Sequence, residues 1–226
     1  FMTHELRTPL NGILGFINLL KAGKLEPEQR QEVDLLEHSA QDLLRLIDGV
    51  LDASKLEADR VEAEWEPVDP AALLRGIHEL YRATARVKQV DFDCTVAPDV
   101  PAAIHTDPAK VRQILSNLTA NALKFTLRGR VELRLELRAA PGGPRLAFSV
   151  SDTGIGVSPE NLGRIFEAYA QADASVTRRF GGTGLGLFIS QRLARLLGGG
   201  ISVESTVGRG SKFTVDLPID GRPPSR

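Results

Sequence analysis

The chain is short of several things at once. Of its 226 residues only one is cysteine, one methionine and one tryptophan. The single Cys94 excludes an internal disulfide framework and suits a reducing compartment. It lies in the alternating run Val90-Asp91-Phe92-Asp93-Cys94-Thr95-Val96, the pattern of a packed strand thiol rather than a reactive one. An excess of one charge sign is missing too. With 28 basic and 29 acidic residues the net charge is −1, which argues against a surface dedicated to nucleic acid or anionic lipid. No apolar run approaches the roughly 20 residues that span a bilayer, and no secretory leader is visible. A soluble, cytoplasmic chain is therefore expected, with any membrane span lying outside it. What is present, 42% apolar and 25% charged residues, is enough to build a core. The length suits one helical module plus one α/β module.

Residues 1–61 read as a helical hairpin. Leu6, Leu10, Ile13, Ile17 and Leu20 recur at spacings of 4 and 3, a helical stripe. Gly23 and Pro27 mark a turn, with Pro27 in the first turn of a second helix. That helix carries a heptad seam of Val33, Leu36, Ala40, Leu43, Ile47 and Val50. Leu35, Leu44, Leu46 and Leu51 widen the apolar face beyond what one partner helix can cover. A homodimeric four-helix bundle is the expected way to bury it.

Residues 62–70, with Trp65, Pro67 and Pro70, break the helical pattern and read as a linker leading into a strand. Residues 71–220 alternate between the two periodicities. Helices are predicted over Pro70–Arg86, Asp107–Phe125 and Leu185–Leu197. Strands are predicted over Val90–Val96, Ala103–Thr106, Arg130–Arg138 and Arg145–Ser151, with a final hairpin of Ile201–Glu204 and Lys212–Leu217 turning through Gly208-Arg209-Gly210. The pattern predicts an α+β sandwich, helices on one side of a mixed sheet. Gly154 to Gly184 is expected to be a polar, glycine-rich, mobile stretch, and 221–226 a tail.

Four blocks carry chemistry. His4 falls on the helix face opposite the Leu6 stripe, where a neighbouring Glu5 can accept its proton and Thr8, one turn on, can orient a water. Asn117, Asn121 and Lys124 share one stripe of a helix, and amide oxygens suit hard Mg²⁺ as an ammonium suits phosphate. Asp152-Thr153-Gly154-Ile155-Gly156 follows a strand and offers a carboxylate beside closely approachable backbone. Gly181-Gly182-Thr183-Gly184-Leu185-Gly186-Leu187 opens a helix whose amides can cradle phosphate. Neither a Rossmann fingerprint nor a P-loop is present.

The run His4-Glu5-Leu6-Arg7-Thr8-Pro9-Leu10 resembles the dimerisation and phosphotransfer domain of sensor histidine kinases, whose hallmark is H-E-x-x-T-P-L. The resemblance implies autophosphorylation of His4, assistance by Glu5, and a role for Thr8 in removing phosphate from a response regulator. The later blocks resemble the N box and the two G boxes of GHKL (histidine kinase/gyrase-like) ATP-binding domains, and Ile165 to Tyr169 resembles their F box. By that resemblance Asp152 reads adenine, Asn121 holds Mg²⁺, and Asn117 and Lys124 face the phosphates. Phe125, Gly154, Gly156, Arg178, Gly182, Thr183, Gly184, Leu185 and Gly186 complete the ATP site. Gyrase-type relatives activate water with a glutamate where this chain has Asn117, an amide that takes no proton. The expected partners are a second copy of the chain and a response regulator receiver domain, in the same protein or separate. The alternative is an ATP-binding scaffold or a mainly phosphatase-active regulator.

Overall fold

A computed structural model describes the backbone of residues 2–58, 61–141, 143–170 and 184–220, with side chains from Thr8 onward except His38, Asp42, Arg45 and Glu57. The chain divides into two compact units, Phe1–Ala58 and Asp59–Arg226.

The first unit is two helices, α1 (Met2–Ala22) and α2 (Pro27–Glu57). Helix α1 runs continuously through Pro9. The turn is set as the sequence suggests. Gly23 closes α1 through an N–H bond to the Leu20 carbonyl, and Glu26 and Gln29 form a capping box ahead of Pro27. Lys21 ties the helices together by ion pairs to Asp34 at 2.7 Å and Glu37 at 2.6 Å. Leu10, Ile17, Val33 and Ala40 are buried between the helices, with Leu14, Leu25, Leu44 and Ile47 packed against them.

The predicted stripes each divide into two rows here. Val33, Ala40 and Ile47 face α1, whereas Leu36 and Leu43 are 56% and 49% exposed. On α1, Leu10 and Ile17 are covered while Ile13 and Leu20 are about half exposed and Phe16 more so. A 4-3 repeat lays down two adjacent rows, and a single antiparallel partner can cover only one of them.

The second unit is a five-stranded mixed sheet in the order β2-β4-β5-β7-β6. Its strands are β2 (Val90–Val96), β4 (Gly129–Arg138), β5 (Arg145–Asp152), β6 (Gly200–Thr206) and β7 (Gly210–Pro218). Only the β2–β4 pair is parallel. Among the described residues three helices supply the rest of the core, α3 (Pro70–Lys88), α4 (Pro108–Phe125) and α6 (Gly186–Leu196), while α5 (Pro159–Leu162) is a single turn. The inward row Val131, Leu133, Leu135, Leu146, Phe148, Val150, Val215 and Leu217 is buried against Leu74, Ile114, Leu115, Leu118 and Leu193. Each such side chain contributes about 1.5–3 kcal/mol on burial.

One expectation changes. Residues 62–70, read as a linker, belong to the second unit and carry β1 (Glu66–Val68), paired antiparallel with β3 (Ile104–Thr106). Pro67 is tolerated there because its partner His105 gives its N–H to the Ile219 carbonyl on the other side. Within the polar, glycine-rich stretch, α5 forms behind Ser158 with Pro159 in its first turn.

Caps hold the helices in place. Asp69 accepts from the amides of Ala71 and Ala72, and Asp107 from those of Ala109 and Lys110. Asp107 is buried, and its second oxygen takes the Glu64 amide at 2.9 Å and the Lys110 ammonium at 2.5 Å.

Candidate functional site

Helix α4 is the axis of the site. Val111, Ile114, Leu115, Leu118, Ala122 and Leu123 sink into the core, which leaves Asn117, Asn121 and Lys124 half-buried along one border. Asn117 donates from Nδ2 to the Gly186 carbonyl at 3.4 Å and to Ser190 Oγ at 3.3 Å. Its amide oxygen is thereby the atom left to face a ligand. The Lys124 ammonium lies 5.0 Å from the centroid of the Phe125 ring. α4 ends at Phe125, whose carbonyl accepts the Ile155 amide at 3.4 Å.

That bond brings the Asp152–Gly156 segment against the end of α4. Asp152 is the last residue of β5 rather than the first beyond it, because its backbone pairs with Val131 on one side and Ser211 on the other. Burial pushes its carboxyl above the usual range, against the opposing effect of backbone amides from Gly154 and Ser211. The Gly154 amide reaches Oδ1 at 2.8 Å. Gly156 has φ +70°, and a Cβ there would stand 2.2 Å from the Thr206 carbonyl oxygen, so the loop lies flat on the β6–β7 hairpin.

The start of α6 closes the set. Gly184 has φ +70° and packs on the backbone of Tyr169, Leu185 is buried, and Gly186 meets Asn117. The structure thus brings together Asn117, Asn121, Lys124, Phe125, Asp152, Gly154, Gly156, Gly184, Leu185 and Gly186. Arg178, Gly182 and Thr183 lie outside the described residues. His4, Glu5 and Thr8 are on α1 in the other unit; the side chains of His4 and Glu5 are outside the described residues, and Thr8 is exposed.

Chemically, the second unit offers a half-buried carboxylate at the end of β5, amide groups along one helix border, and glycine backbone at a helix N-terminus. This suits a base at one end and phosphates at the other. Among the described residues no group of three or more His, Cys, Asp or Glu could hold a metal. A cation here fits the amide-oxygen chemistry of α4, completed by a ligand's own phosphates. No helix among the described residues is long and apolar enough to cross a membrane.

Sequence reasoning missed Ser205 and Ser211. They stand opposite each other at the end of β6–β7, beside Asp152. Both continue the row of Ile201 and Val203 on β6 and of Phe213, Val215 and Leu217 on β7 to its hairpin end, where a strand serine carries no signal of its own.

Comparisons with known proteins agree with this geometry. Residues 1–59 match the His Kinase A (phospho-acceptor) domain, and residues 106–221 match the histidine kinase-, DNA gyrase B- and HSP90-like ATPase family. The chain is 43% identical over 219 residues to the sensor protein GacS of Pseudomonas syringae pv. syringae, covering 96% of this chain and 24% of that protein. It is 40% identical over 223 residues to the signal transduction histidine-protein kinase BarA of Escherichia coli, covering 98% and 24%. Against the autoinducer 2 sensor kinase/phosphatase LuxQ of Vibrio parahaemolyticus the identity is 39% over 98% of this chain and 26% of that one. The chain therefore spans about a quarter of the length of these curated relatives. Among solved structures, full-length ShkA in complex with AMPPNP superposes with a TM-score of 0.81 at 40% identity, covering 98% of this chain and 45% of that one. The histidine kinase AdeS of Acinetobacter baumannii, at 18% identity and a TM-score of 0.66, covers 96% and 98% and shares the fold.

Proposed function

Because the chain belongs to the sensor histidine kinase family, a phospho-acceptor hairpin followed by a histidine kinase-type ATPase domain, we propose that it transfers the γ-phosphoryl group of ATP to its own His4 and then to an aspartate of a response regulator receiver domain. The observation that carries the reading is the joint presence, on one chain, of a complete His4-to-Leu10 phospho-acceptor run and a second unit in which Asn117 bonds to Gly186 and the end of the same helix meets the loop after Asp152.

Asp152 reads the adenine amino group, since an ionised carboxylate only accepts hydrogen bonds. Asn117, Asn121 and Lys124 line the phosphate end, and Gly184 to Gly186 let backbone amides approach it. Mg²⁺, held by Asn121 and the phosphates, would neutralise charge on the transferred group. An imidazole nitrogen of His4 attacks phosphorus in line, the bond to the ADP oxygen breaks, and Glu5 takes the ring proton. Positioning accounts for most of the rate. Asn117 cannot act as a base for water, so the γ-phosphoryl group waits for the histidine. Thr8 orients a water for the reverse duty, removal of phosphate from the receiver. The kinase/phosphatase name of the LuxQ relative favours that second activity. The uncovered leucine rows of α1 and α2 belong to a homodimer.

The decisive experiment is incubation with γ-labelled ATP and Mg²⁺ followed by acid and alkali treatment. A label that is acid-labile and alkali-stable, and lost in His4→Gln while ATP binding persists, supports the reading. Equal labelling of the wild type and the variant overturns it. Thr8→Ala should slow receiver dephosphorylation more than labelling of His4; a matched loss of both would remove Thr8 from that role.

A further inference from the structure

The β6–β7 hairpin carries a hydroxyl arrangement that fixes the direction of the Ser211 hydroxyl beside Asp152. Ser205 Oγ has three neighbours: the Val157 amide at 2.8 Å, the Gly210 carbonyl at 2.9 Å and Ser211 Oγ at 2.9 Å. A serine hydroxyl has one hydrogen and two lone pairs. The Gly210 carbonyl can only accept, so the Ser205 hydrogen goes there. The Val157 N–H can only donate, so it takes one Ser205 lone pair. The bond between the two serines then has one possible direction: Ser211 donates and Ser205 accepts.

That direction matters because of where Ser211 stands. It is the register partner of Asp152, and its backbone amide bonds to the Asp152 carboxylate. Asp152, Ser205 and Ser211 line one open cleft of about 290 Å³ together with the cations Arg209 and Lys212. With its hydrogen committed to Ser205, Ser211 presents only lone pairs to that cleft. Asp152 does the same. Side by side, these two side chains offer acceptors only.

The geometry points to Ser205 as a positioning residue for nucleotide choice: by holding the Ser211 proton away from the cleft, it favours a purine with an amino group at position six over one with a carbonyl. The amino group donates to both acceptors. A carbonyl would set lone pair against lone pair and leave buried acceptors unmatched, the situation that gives the sharpest discrimination. The inference rests on the reading of Asp152 as the base-reading group.

The test compares ATP and GTP affinity, each with Mg²⁺, by calorimetry on the wild type, Ser205→Ala, Ser211→Ala and the double variant. In Ser205→Ala the Ser211 hydroxyl is released and can turn to donate to a carbonyl. The ATP-to-GTP preference should fall about five- to tenfold, the worth of one hydrogen bond. Ser211→Ala should lower it similarly, and the double variant no further, since Ser205 acts through Ser211. A Ser205→Ala protein that weakens ATP and GTP in equal proportion would show a merely structural hydroxyl and overturn the proposal. Should Ser205→Ala fail to fold, an unchanged preference in Ser211→Ala overturns it equally. A wild type that binds no ATP would instead sink the nucleotide-site reading itself.

Discussion

A Cβ placed on Gly154 would stand 2.5 Å from the carbonyl oxygen of Phe125. The last turn of α4 and the loop after β5 therefore meet backbone to backbone, and the Ile155 amide bonds to that same carbonyl. Asp152 Oδ1 is 2.9 Å from the same point, so a side chain at 154 would collide with the Asp152 carboxylate as well.

Gly154→Ala should thus separate the loop from α4. Neither contact is the far end of a flexible side chain except the carboxylate, so backbone must shift. We expect a stability loss of about 1–3 kcal/mol and ATP affinity at least about tenfold weaker. Chemical denaturation and calorimetry measure the two. A variant as stable and as tight as the wild type would show that the two segments do not share this contact.

Asp152 gives a pH-dependent prediction. Burial, the largest influence, raises its carboxyl above the usual range despite the Gly154 and Ser211 amides. A carboxyl raised on folding contributes its stability below its unfolded-state titration, and that contribution is lost as pH rises through the folded-state titration. At neutral pH the ionised group is therefore a cost. Asp152→Asn keeps an oxygen for the Gly154 amide and removes the charge. It should be more stable than the wild type near pH 7, with the difference vanishing below the usual carboxylate range. ATP affinity should fall at least about tenfold, because the amide turns an acceptor into a donor. Melting curves across pH, paired with nucleotide titration, check both halves.

Which of these features could be read beforehand follows from how local their causes are. Val90–Val96 alternates strictly and became β2 as bounded, and α4 is announced by Asp107, Pro108 and a regular apolar face. β1 was not legible, since Glu66-Pro67-Val68 is extended only because β3 lies beside it. The rows of the hairpin were legible as apolar but not as two rows, because spacing does not say which row the other helix covers. The blocks at Asn117, Asp152 and Gly184 stood out as residue types. Ser205 and Ser211 did not, because a strand serine is ordinary until its hydrogen-bond partners are known.

Asp107 behaves oppositely to Asp152. Burial alone would raise its carboxyl, but the Lys110 ammonium and the amides of Glu64 and Lys110 outweigh burial and hold it below the usual range. A lowered carboxyl contributes stability above its unfolded-state titration, and this is lost as pH falls through the folded-state titration. Asp107→Ala removes a helix cap and leaves Lys110 without its partner and the Glu64 amide without an acceptor. It should cost about 2–4 kcal/mol near neutral pH, shrinking in acid. A loss that stays constant from neutral pH to acid would mean that the ion pair contributes nothing.

The hairpin decides whether the chain works as a pair. Leu36 and Leu43 are one heptad apart on α2 and remain 56% and 49% exposed, next to a row that α1 already covers. Phe16 and Leu19, each 70% exposed, extend the uncovered surface on α1. Each leucine left in water forgoes about 1.5–3 kcal/mol that burial would return. A second copy related by twofold symmetry presents the same rows and can cover them reciprocally. Leu36→Glu combined with Leu43→Glu would put like charges into that seam from both copies. The wild type should sediment at twice the chain mass and the double variant at the single-chain mass, a loss of at least about a hundredfold in dimer affinity. Leu10, Ile17, Val33 and Ala40 are untouched, so helix content should hold, and ATP binding, seated wholly in the second unit, should not change. A double variant that sediments with the wild type would assign these leucines to some surface other than the dimer seam.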